Sequence, residues 1–189
     1  MSINKSIFII FLVTIISSCQ DLEYEKRSRY YRSNINIVKT KETNYNYTIK
    51  NNKKYTGYYK IGKPYTVNGI TYYPKEYNSY NKVGKASWYG ADFHNKKTAN
   101  GEIFNMHDFT AAHNTLQLPC IVKVTNLENG KNVIVRVNDR GPFVEGRIID
   151  LSKAAADKLD FKNKGIINVR VELLKNETEK MLKSYGLKY

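Results

Sequence analysis

The sequence lacks the residues and runs that several classes of protein need. It has three histidines, His94, His107 and His113, without His-x-x-x-His spacing or an apparent carboxylate partner, which argues against a metal site. It has no phosphate-binding glycine loop and no Ser/His/Asp signature. Its longest apolar run, residues 7–16, is about half of what a membrane-spanning helix needs. We therefore predict no metal, no cofactor and no transmembrane helix.

The apolar run belongs to an export signal. Lys5 precedes it and the small residues Ser17 and Ser18 follow it, which is the order of a secretory signal peptide. The sequence Ile-Ser-Ser-Cys at 16–19 also fits a bacterial lipobox, in which Cys19 is acylated after cleavage. We predict a signal peptide at 1–18 and a lipoprotein whose palmitate-type chains hold it on a membrane. The alternative is an ordinary signal peptide that happens to contain a cysteine.

The sequence is also poor in cysteine, with only Cys19 and Cys120. If Cys19 carries lipid, no intramolecular disulfide can form, and the fold must be stabilised by packing alone. Cys120 lies in the apolar stretch LPCIVKV, which indicates a small buried side chain and not a catalytic thiol.

Acidic residues are scarce overall, with 17 Asp and Glu against 31 Lys and Arg. The imbalance lies outside residues 85–160, which hold 10 basic and 9 acidic residues. An exported protein meets little nucleic acid, so we predict no nucleic-acid partner. The basic flanks face anionic lipid or wall polymer, or they reflect a coding bias toward Lys, Asn, Ile and Tyr.

Composition and periodicity divide the mature chain into three parts. Residues 19–58 are polar, rich in Lys, Asn and Tyr, and show no sustained period, which predicts a lipidated flexible tether. Residues 59–174 contain short β-prone runs separated by turns such as Asn68-Gly69 and Glu128-Asn129-Gly130. Residues 175–189 form a C-terminal tail whose pattern is compatible with a short helix.

The middle part predicts a mainly β fold. In NVIVRVND, Val133, Val135 and Val137 point to one face, while Ile134 and Arg136 point to the other. The later stretch SKAAADKLD predicts a short helix with Ser152 as its N-cap. Many short strands with tight turns and one small helix are typical of a closed β-barrel.

Four side chains that could do chemistry stand at turns or strand ends: Glu102, His113, Asp139 and Asp150. Cleavage of a glycosidic bond needs a carboxylic acid to protonate the leaving oxygen and a second group to support the sugar carbon. Two acids from separate turns could meet that need. The alternative is that Asp139 caps a turn and pairs with Arg140, which would lower its pKa. Strand alternation favours the first interpretation, because neighbouring side chains point to opposite faces.

Several stretches, in order, resemble the rare lipoprotein A (RlpA) family across roughly residues 60–174. They are GKASWYGADFHNKKTANGEIFNM, FTAAHNTLQLP, VKVTNLENGKNVIVRVNDRGPFVEGRIIDLS and AAADKL. The resemblance implies a six-stranded double-psi β-barrel with one or two short helices. It also implies a lyase, an endolytic lytic transglycosylase that cleaves the MurNAc-GlcNAc bond of peptidoglycan strands lacking stem peptides and leaves 1,6-anhydroMurNAc ends.

Carried over by motif, the resemblance implies three catalytic residues. Asp139 of NDRGPF is the essential acid, with Glu102 of TANGE and His113 of TAAH beside it. Glu102 would support positive charge or hold the sugar, and His113 would orient a carboxylate. Arg140 is predicted to donate to loop carbonyl groups, and Asp150 to cap the following helix.

Three further residues are predicted to bind substrate. Trp88 and Tyr89 are candidates for stacking on sugar faces, although Trp88 fits the core equally well. Asn105 stands where many relatives have an aspartate, which removes one negative charge from the site. Two alternatives to the transglycosylase stay open: a non-catalytic peptidoglycan-binding envelope lipoprotein on the same barrel, and hydrolysis by two spaced carboxylates.

The sequence also predicts a location. Gln20 after Cys19, with no aspartate there, favours the outer membrane, with the barrel on the periplasmic side. Peptidoglycan strands are the predicted partner, and any division or envelope protein partner is left unspecified. The sequence stops at Tyr189, without the C-terminal SPOR domain of larger relatives, so septal targeting is not predicted.

Overall fold

The computed structural model describes residues 35–39, 45–49 and 55–187. The chain divides into two units, residues 1–52 and residues 53–189. In the first unit, β1 (Ile35–Lys39) and β2 (Tyr45–Ile49) form a two-stranded antiparallel sheet. The sequence had predicted only a tether here. The predicted signal peptide and Cys19 lie outside the described residues.

The second unit begins with a hairpin. Strands β3 (Tyr65–Val67) and β4 (Ile70–Tyr72) pair antiparallel, as the Asn68-Gly69 dipeptide predicted. Asn68 has φ 51° and Gly69 has φ 78°. Positive φ at both central residues is what a two-residue hairpin turn requires, and Asn-Gly supplies it at low steric cost.

Six strands then close a barrel, as predicted. They are β5 (Asn81–Tyr89), β6 (Thr110–Ala112), β7 (Cys120–Asn126), β8 (Asn132–Asp139), β9 (Arg147–Ser152) and β10 (Ile167–Leu173). Their order around the barrel is β10-β5-β9-β6-β8-β7. The pairs β5/β9 and β6/β8 are parallel, and the other neighbouring pairs are antiparallel.

The barrel interior is filled by apolar side chains from all six strands. Val133, Val135 and Val137 are buried in it, while Ile134 and Arg136 are only partly buried, which confirms the predicted alternation. Cys120 is fully buried in the same core and is a free thiol, also as predicted.

Three short helical elements accompany the barrel. A 3₁₀ turn at Ala91–Phe93 follows β5, and α1 (Lys153–Lys158) follows β9 with Ser152 as its N-cap, as predicted. The tail forms α2 (Lys175–Ser184), whose Met181 and Leu182 join Ile121 in a small second cluster. Among the described residues, no helix is long and apolar enough to cross a membrane.

Candidate active site

A β-bulge at the end of β8 decides where Asp139 lies. Ala111 of β6 pairs with Val137, but the next residue, Ala112, pairs with Asp139 and skips Asn138. Ala111 and Val137 are both fully buried in the core. Because successive residues of a strand face opposite sides, Ala112 and its partner Asp139 share the outer face of the barrel. Simple alternation from Val137 would have turned Asp139 into the core.

The same alanine links a second carboxylate to this face. On its other side Ala112 pairs with Asp150 of β9. Asp139 and Asp150 are therefore two strands apart, which corresponds to a Cα separation of about 10 Å, with only a methyl side chain between them. Ala112 is itself buried, with 6% of its surface exposed, so the two acids lie on either side of a small covered side chain.

The carboxyl group of Asp139 is held through one oxygen. Its Oδ1 accepts hydrogen bonds from the backbone N–H groups of Ala99 at 2.9 Å and Arg140 at 2.8 Å. Burial raises the pKa of Asp139, and this outweighs the two N–H donors and the charge of Arg140, which lower it. A carboxyl group with a raised pKa is suited to general-acid chemistry.

Arg140 does not form an ion pair that would keep Asp139 ionised. Its guanidinium donates instead to three backbone carbonyls, those of His113 at 3.1 Å, Leu116 at 2.7 Å and Ile61 at 2.7 Å. This confirms the predicted role of Arg140 as a donor to loop carbonyl groups. The arginine ties the loops around the site to the turn that follows Asp139.

Glu102 is buried, with 5% of its surface exposed, and forms an ion pair with Arg136. Arg136 Nη2 donates to Oε2 at 2.7 Å, and Asn138 Nδ2 donates to the same oxygen at 3.0 Å. Oε1 accepts from the Tyr55 hydroxyl at 2.5 Å and from Asn100 Nδ2 at 3.1 Å. Burial alone would raise the pKa of Glu102, but the charge of Arg136 and these donors hold it below its ordinary value.

The sequence did not identify the four partners of Glu102. Arg136 and Asn138 were visible only as polar positions that alternate with the core valines of β8. That alternation placed Arg136 on the outer face, but nothing local indicated a carboxylate 34 residues away. Tyr55 lies in a segment that composition assigned to the tether, so its contact with the barrel had no sequence signal.

His113 is buried and neutral. Its Nδ1 accepts from the backbone N–H groups of Thr115 at 3.1 Å and Leu116 at 3.2 Å, so Nε2 carries the proton and donates to the Tyr80 hydroxyl at 2.9 Å. Burial and then the charge of Arg140 lower its pKa to about 3. The ring thus organises the loop after β6. The family resemblance implied that His113 orients a carboxylate. Among the described residues, its side chain contacts none.

Asp150 does not cap α1, contrary to prediction, because Ser152 does so by accepting from the N–H of Ala155. Asp150 Oδ1 instead accepts from the Ser87 hydroxyl at 3.1 Å, and Arg147 Nη2 lies 3.4 Å from Oδ2. Burial raises the pKa of Asp150 despite the charge of Arg147. It is a second acid on the outer face and has no capping role.

Trp88 and Tyr89 are placed differently from each other. Trp88 packs against the barrel core, and its Nε1 donates to the carbonyl of Lys162 at 3.1 Å. The ring of Tyr89 packs on Phe104, with 4.5 Å between ring centroids. The hydroxyl groups of Tyr89 and Thr110 are buried and have no hydrogen-bond partner among the described residues. Both oxygen atoms are covered by the surrounding protein, so neither hydroxyl is on a surface that a sugar could contact.

Asn105 forms a local pair with an acid that the sequence had not singled out. Its Nδ2 donates to Oδ1 of Asp108 at 3.1 Å, and its own Oδ1 accepts from the N–H of His107 at 3.1 Å. Burial raises the pKa of Asp108 in spite of the lowering effects of Arg136 and Asn105. The segment therefore has an acid, at position 108 and not at 105.

Within the described part of the chain, no group of three or more His, Cys, Asp and Glu residues is arranged to hold a metal ion. The rings of His94 and His107 meet edge to face, with 5.9 Å between centroids.

Comparison with known proteins identifies the family. Residues 81–171 match the family model described as lytic transglycolase. A Rickettsia felis protein named endolytic peptidoglycan transglycosylase RlpA is 48% identical over 189 residues, covering 98% of this chain and 79% of that one. The chain belongs to the RlpA family. This confirms the predicted six-stranded double-psi β-barrel: the six strands close, and the family model matches nearly all of the segment that contains them.

Two further relatives with the same name share the central part of the chain. The Rickettsia typhi protein is 56% identical over 140 residues, 72% of this chain and 44% of that one. The Pseudomonas aeruginosa (strain UCBPP-PA14) protein is 59% identical over 110 residues, 58% of this chain and 32% of that one. The chain thus spans less than half of these two RlpA relatives. Asp139, Glu102 and His113 all lie within the 81–171 segment that the family model matches.

Proposed function

We propose that this RlpA-family protein is an endolytic lytic transglycosylase in which Asp139 is the catalytic acid and base. The observation that carries the proposal is the position of Asp139. The bulge in β8 brings it to the outer face, and burial raises its pKa while two N–H groups fix one of its oxygens. The substrate is peptidoglycan, at the MurNAc-GlcNAc bond of strands without stem peptides, as the family resemblance implies.

The reaction begins with proton transfer from Asp139. Both backbone donors bind Oδ1, so Oδ2 is the oxygen free to carry the proton. Asp139 gives this proton to the glycosidic oxygen, the C1–O bond of MurNAc breaks with its electron pair leaving on that oxygen, and the GlcNAc hydroxyl departs. The positive charge that develops at C1 lies near the newly formed carboxylate, which stabilises it.

The second half returns the proton. The C6 hydroxyl of the same MurNAc residue attacks C1, and the Asp139 carboxylate accepts its proton. A 1,6-anhydro ring forms, Asp139 is protonated again, and no water is consumed. One carboxyl group therefore suffices for acid and base catalysis, provided that its pKa stands high enough for it to be protonated at the start.

The other residues near Asp139 act by positioning it or by binding sugar. Glu102 already bonds to Arg136 and Asn138, so we assign it to fixing the end of β8 and not to protonating substrate. His113 holds the loop after β6 through Thr115 and Leu116. The Tyr89 ring packs on Phe104 with its hydroxyl buried, and the core packing of Trp88 supports the alternative to sugar stacking.

We also propose that the protein acts as a lipoprotein. A signal peptide at 1–18 and acylation of Cys19 would anchor it to the outer membrane, with the barrel on the periplasmic side facing peptidoglycan. Support comes from the lipobox sequence, from Gln20 and from the substrate, which lies in the same compartment. Metabolic labelling with an alkynyl fatty acid, compared between the wild type and Cys19→Ser, tests the anchor, because only the wild type should be labelled.

Product masses test the reaction. Residues 20–189 are incubated with amidase-treated glycan strands, and the released fragments are analysed by mass spectrometry. Transglycosylation gives 1,6-anhydro ends, each lighter by one water than the end that hydrolysis would give. Asp139→Asn should release nothing, whereas Asp160→Asn, an exposed aspartate paired with Lys131, should behave as wild type.

Three outcomes would contradict the proposal. Hydrated ends would indicate hydrolysis by two carboxylates, and glycan binding without any release would indicate a binding protein. Full activity of Asp139→Asn would show that another residue is the general acid.

A further inference from the structure

Residues 55–61, just before the barrel, are bonded to the loops that surround the site. Tyr58 N donates to the carbonyl of Asn100 at 2.9 Å, and Lys60 forms a two-bond bridge with Leu118, with N–O distances of 2.6 and 2.8 Å. The carbonyl of Ile61 accepts from Arg140 at 2.7 Å. The sequence had assigned 55–58 to the tether, but these residues contact the same loops that hold Asp139.

Tyr55 makes the most direct of these contacts. Its hydroxyl donates to Oε1 of Glu102 at 2.5 Å and accepts from Asn100 Nδ2 at 3.0 Å. A hydrogen bond from a hydroxyl to a carboxylate at this distance is charge-assisted and among the stronger ones in proteins. Tyr55 therefore fixes the oxygen of Glu102 that faces away from Asn138.

A second tyrosine, from the C-terminal end of α2, completes the enclosure. The ring of Tyr185 stacks on Tyr55, with 3.9 Å between centroids and 8° between planes. Its hydroxyl accepts from Nη1 of Arg136 at 3.5 Å. The two stacked rings thus cover both members of the Glu102–Arg136 ion pair.

Both tyrosines lie outside residues 81–171, the segment that the family model matches. The matched segment contributes Glu102, Arg136 and Asn138, but the hydroxyl and the rings that close over them come from either side of it. The space around Tyr55 is also tight. A Cβ added at Gly57 would lie 2.5 Å from the Tyr55 hydroxyl oxygen and 2.9 Å from Cγ of Glu102.

We propose that Tyr55 is a positioning residue for the transglycosylase reaction: it holds Glu102 against Arg136 and Asn138 and so fixes the bulge that presents Asp139. This inference rests on the proposed function. Asn138 is the residue that the bulge skips, and its Nδ2 bonds to Glu102. The chain of contacts from Tyr55 to Asp139 therefore runs through one carboxylate and one bulged residue.

The test compares Tyr55→Phe with Tyr73→Phe in residues 20–189, on soluble glycan strands without stem peptides. Tyr73 is the matched control, because it is 66% exposed and lies outside the loops that hold Asp139. We expect kcat of Tyr55→Phe to fall about tenfold to a hundredfold, because small displacements of a catalytic group have effects of that size. KM should change little, and Tyr73→Phe should match the wild type.

A second readout separates positioning from general loss of structure. The Tyr55 hydroxyl lowers the pKa of Glu102, so its removal should raise that pKa. A ¹³C NMR titration of the Glu102 carboxyl group, assigned with Glu102→Gln, should show the higher pKa in Tyr55→Phe and not in Tyr73→Phe. Gly57→Ala, which crowds the same contact, should reproduce both effects.

The failures are distinguishable. A wild type that forms anhydro ends together with a Tyr55→Phe variant of unchanged kcat would overturn the positioning role alone. An unchanged Glu102 titration in Tyr55→Phe would also overturn it. A wild type that releases no product overturns the proposed function, whatever the variants do.

Discussion

Asn105 donates a hydrogen bond from Nδ2 to Oδ1 of Asp108 at 3.1 Å. The amide therefore has a structural role at position 105, where the family resemblance led us to expect an aspartate. An acid at 105 would face Asp108, whose pKa is already raised by burial. The segment therefore has one carboxylate, that of Asp108, and Asn105 is its hydrogen-bond donor.

Replacing Asn105 by aspartate should therefore destabilise the protein. In Asn105→Asp the donor to Asp108 is lost and two carboxylates face each other, which we expect to cost about 1–2 kcal/mol at neutral pH. Chemical denaturation as a function of pH checks this, since the cost should shrink as acid protonates one of the pair. The double variant Asn105→Asp with Asp108→Asn reverses the pair and should recover most of the stability. A fully stable Asn105→Asp at pH 7 would contradict this reasoning.

The Glu102–Arg136 pair should matter far more for stability than exposed ion pairs. Arg136→Met leaves a buried carboxylate without its counter-charge, which we expect to cost about 3–5 kcal/mol in the free energy of unfolding at pH 7. Asp160→Asn removes an exposed pair, with Lys131 and Asp160 side chains 50% and 69% accessible, and should cost about 1 kcal/mol or less. Equal effects of the two variants in urea denaturation would contradict the buried pairing.

The pH dependence of the same pair has a definite sign. The pKa of Glu102 is lower in the folded protein than its ordinary value, so the pair stabilises the fold above the ordinary glutamate pKa. That contribution is lost as the pH falls through the lowered folded-state value. In Arg136→Met the free energy of unfolding should lose the part of its decrease at low pH that comes from Glu102. Urea denaturation below pH 5 can measure this.

His113 should make the protein less stable as the pH falls from about 6.5 toward 3. Its folded-state pKa is lowered to about 3, so in this range the unfolded chain binds a proton that the folded protein does not. His113→Asn keeps an acceptor near the N–H groups of Thr115 and Leu116 but cannot titrate, so its stability should depend less on pH in that window. Between pH 7 and 8 His113 is neutral in the folded and unfolded states. In that range the free energy of unfolding should change with pH equally in the wild type and in His113→Asn. Identical slopes at pH 4–6 would show that His113 is protonated in the folded protein.

The activity profile should report the carboxyl group of Asp139. A general acid must begin protonated, so kcat/KM should fall as the pH rises through its pKa. Burial raises that pKa, which places the falling limb at higher pH than for an ordinary aspartate. Initial rates of anhydro-end formation at constant ionic strength check this. A limb at or below the ordinary aspartate value would assign the acid role to another residue.

Local sequence patterns predicted much of the fold. The Asn68-Gly69 turn, the alternating valines of β8 and the Ser152 cap each depend on neighbours within a few residues, and all three are present. The pattern of short strands and tight turns also predicted a closed barrel. The family resemblance added its six strands and pointed to Asp139, which lies where a bulge turns it outward.

The features that the sequence did not reveal depend on residues far apart in the chain. The bulge arises from pairing with β6, and its offset cannot be read from β8 alone. Three of the donors to Glu102, from Tyr55, Arg136 and Asn138, lie 47, 34 and 36 residues away from it, and only Asn100 is a local neighbour. The β1–β2 sheet lies in a stretch whose polar composition concealed its strand pairing. In each case the feature depends on which two segments of the chain pair, and that pairing is known only once the fold is known.

Barrel closure has a consequence for the timing of activity. The first barrel strand, β5, pairs with the last, β10, with Ala86 opposite Ile167. A chain that has not yet been synthesised as far as residues 167–173 lacks β10, so its barrel cannot close. Such long-range pairing also makes folding slow relative to local structure formation. The barrel that carries Asp139 is therefore completed only after β10 has been made, although Asp139 itself lies 28 residues before that strand.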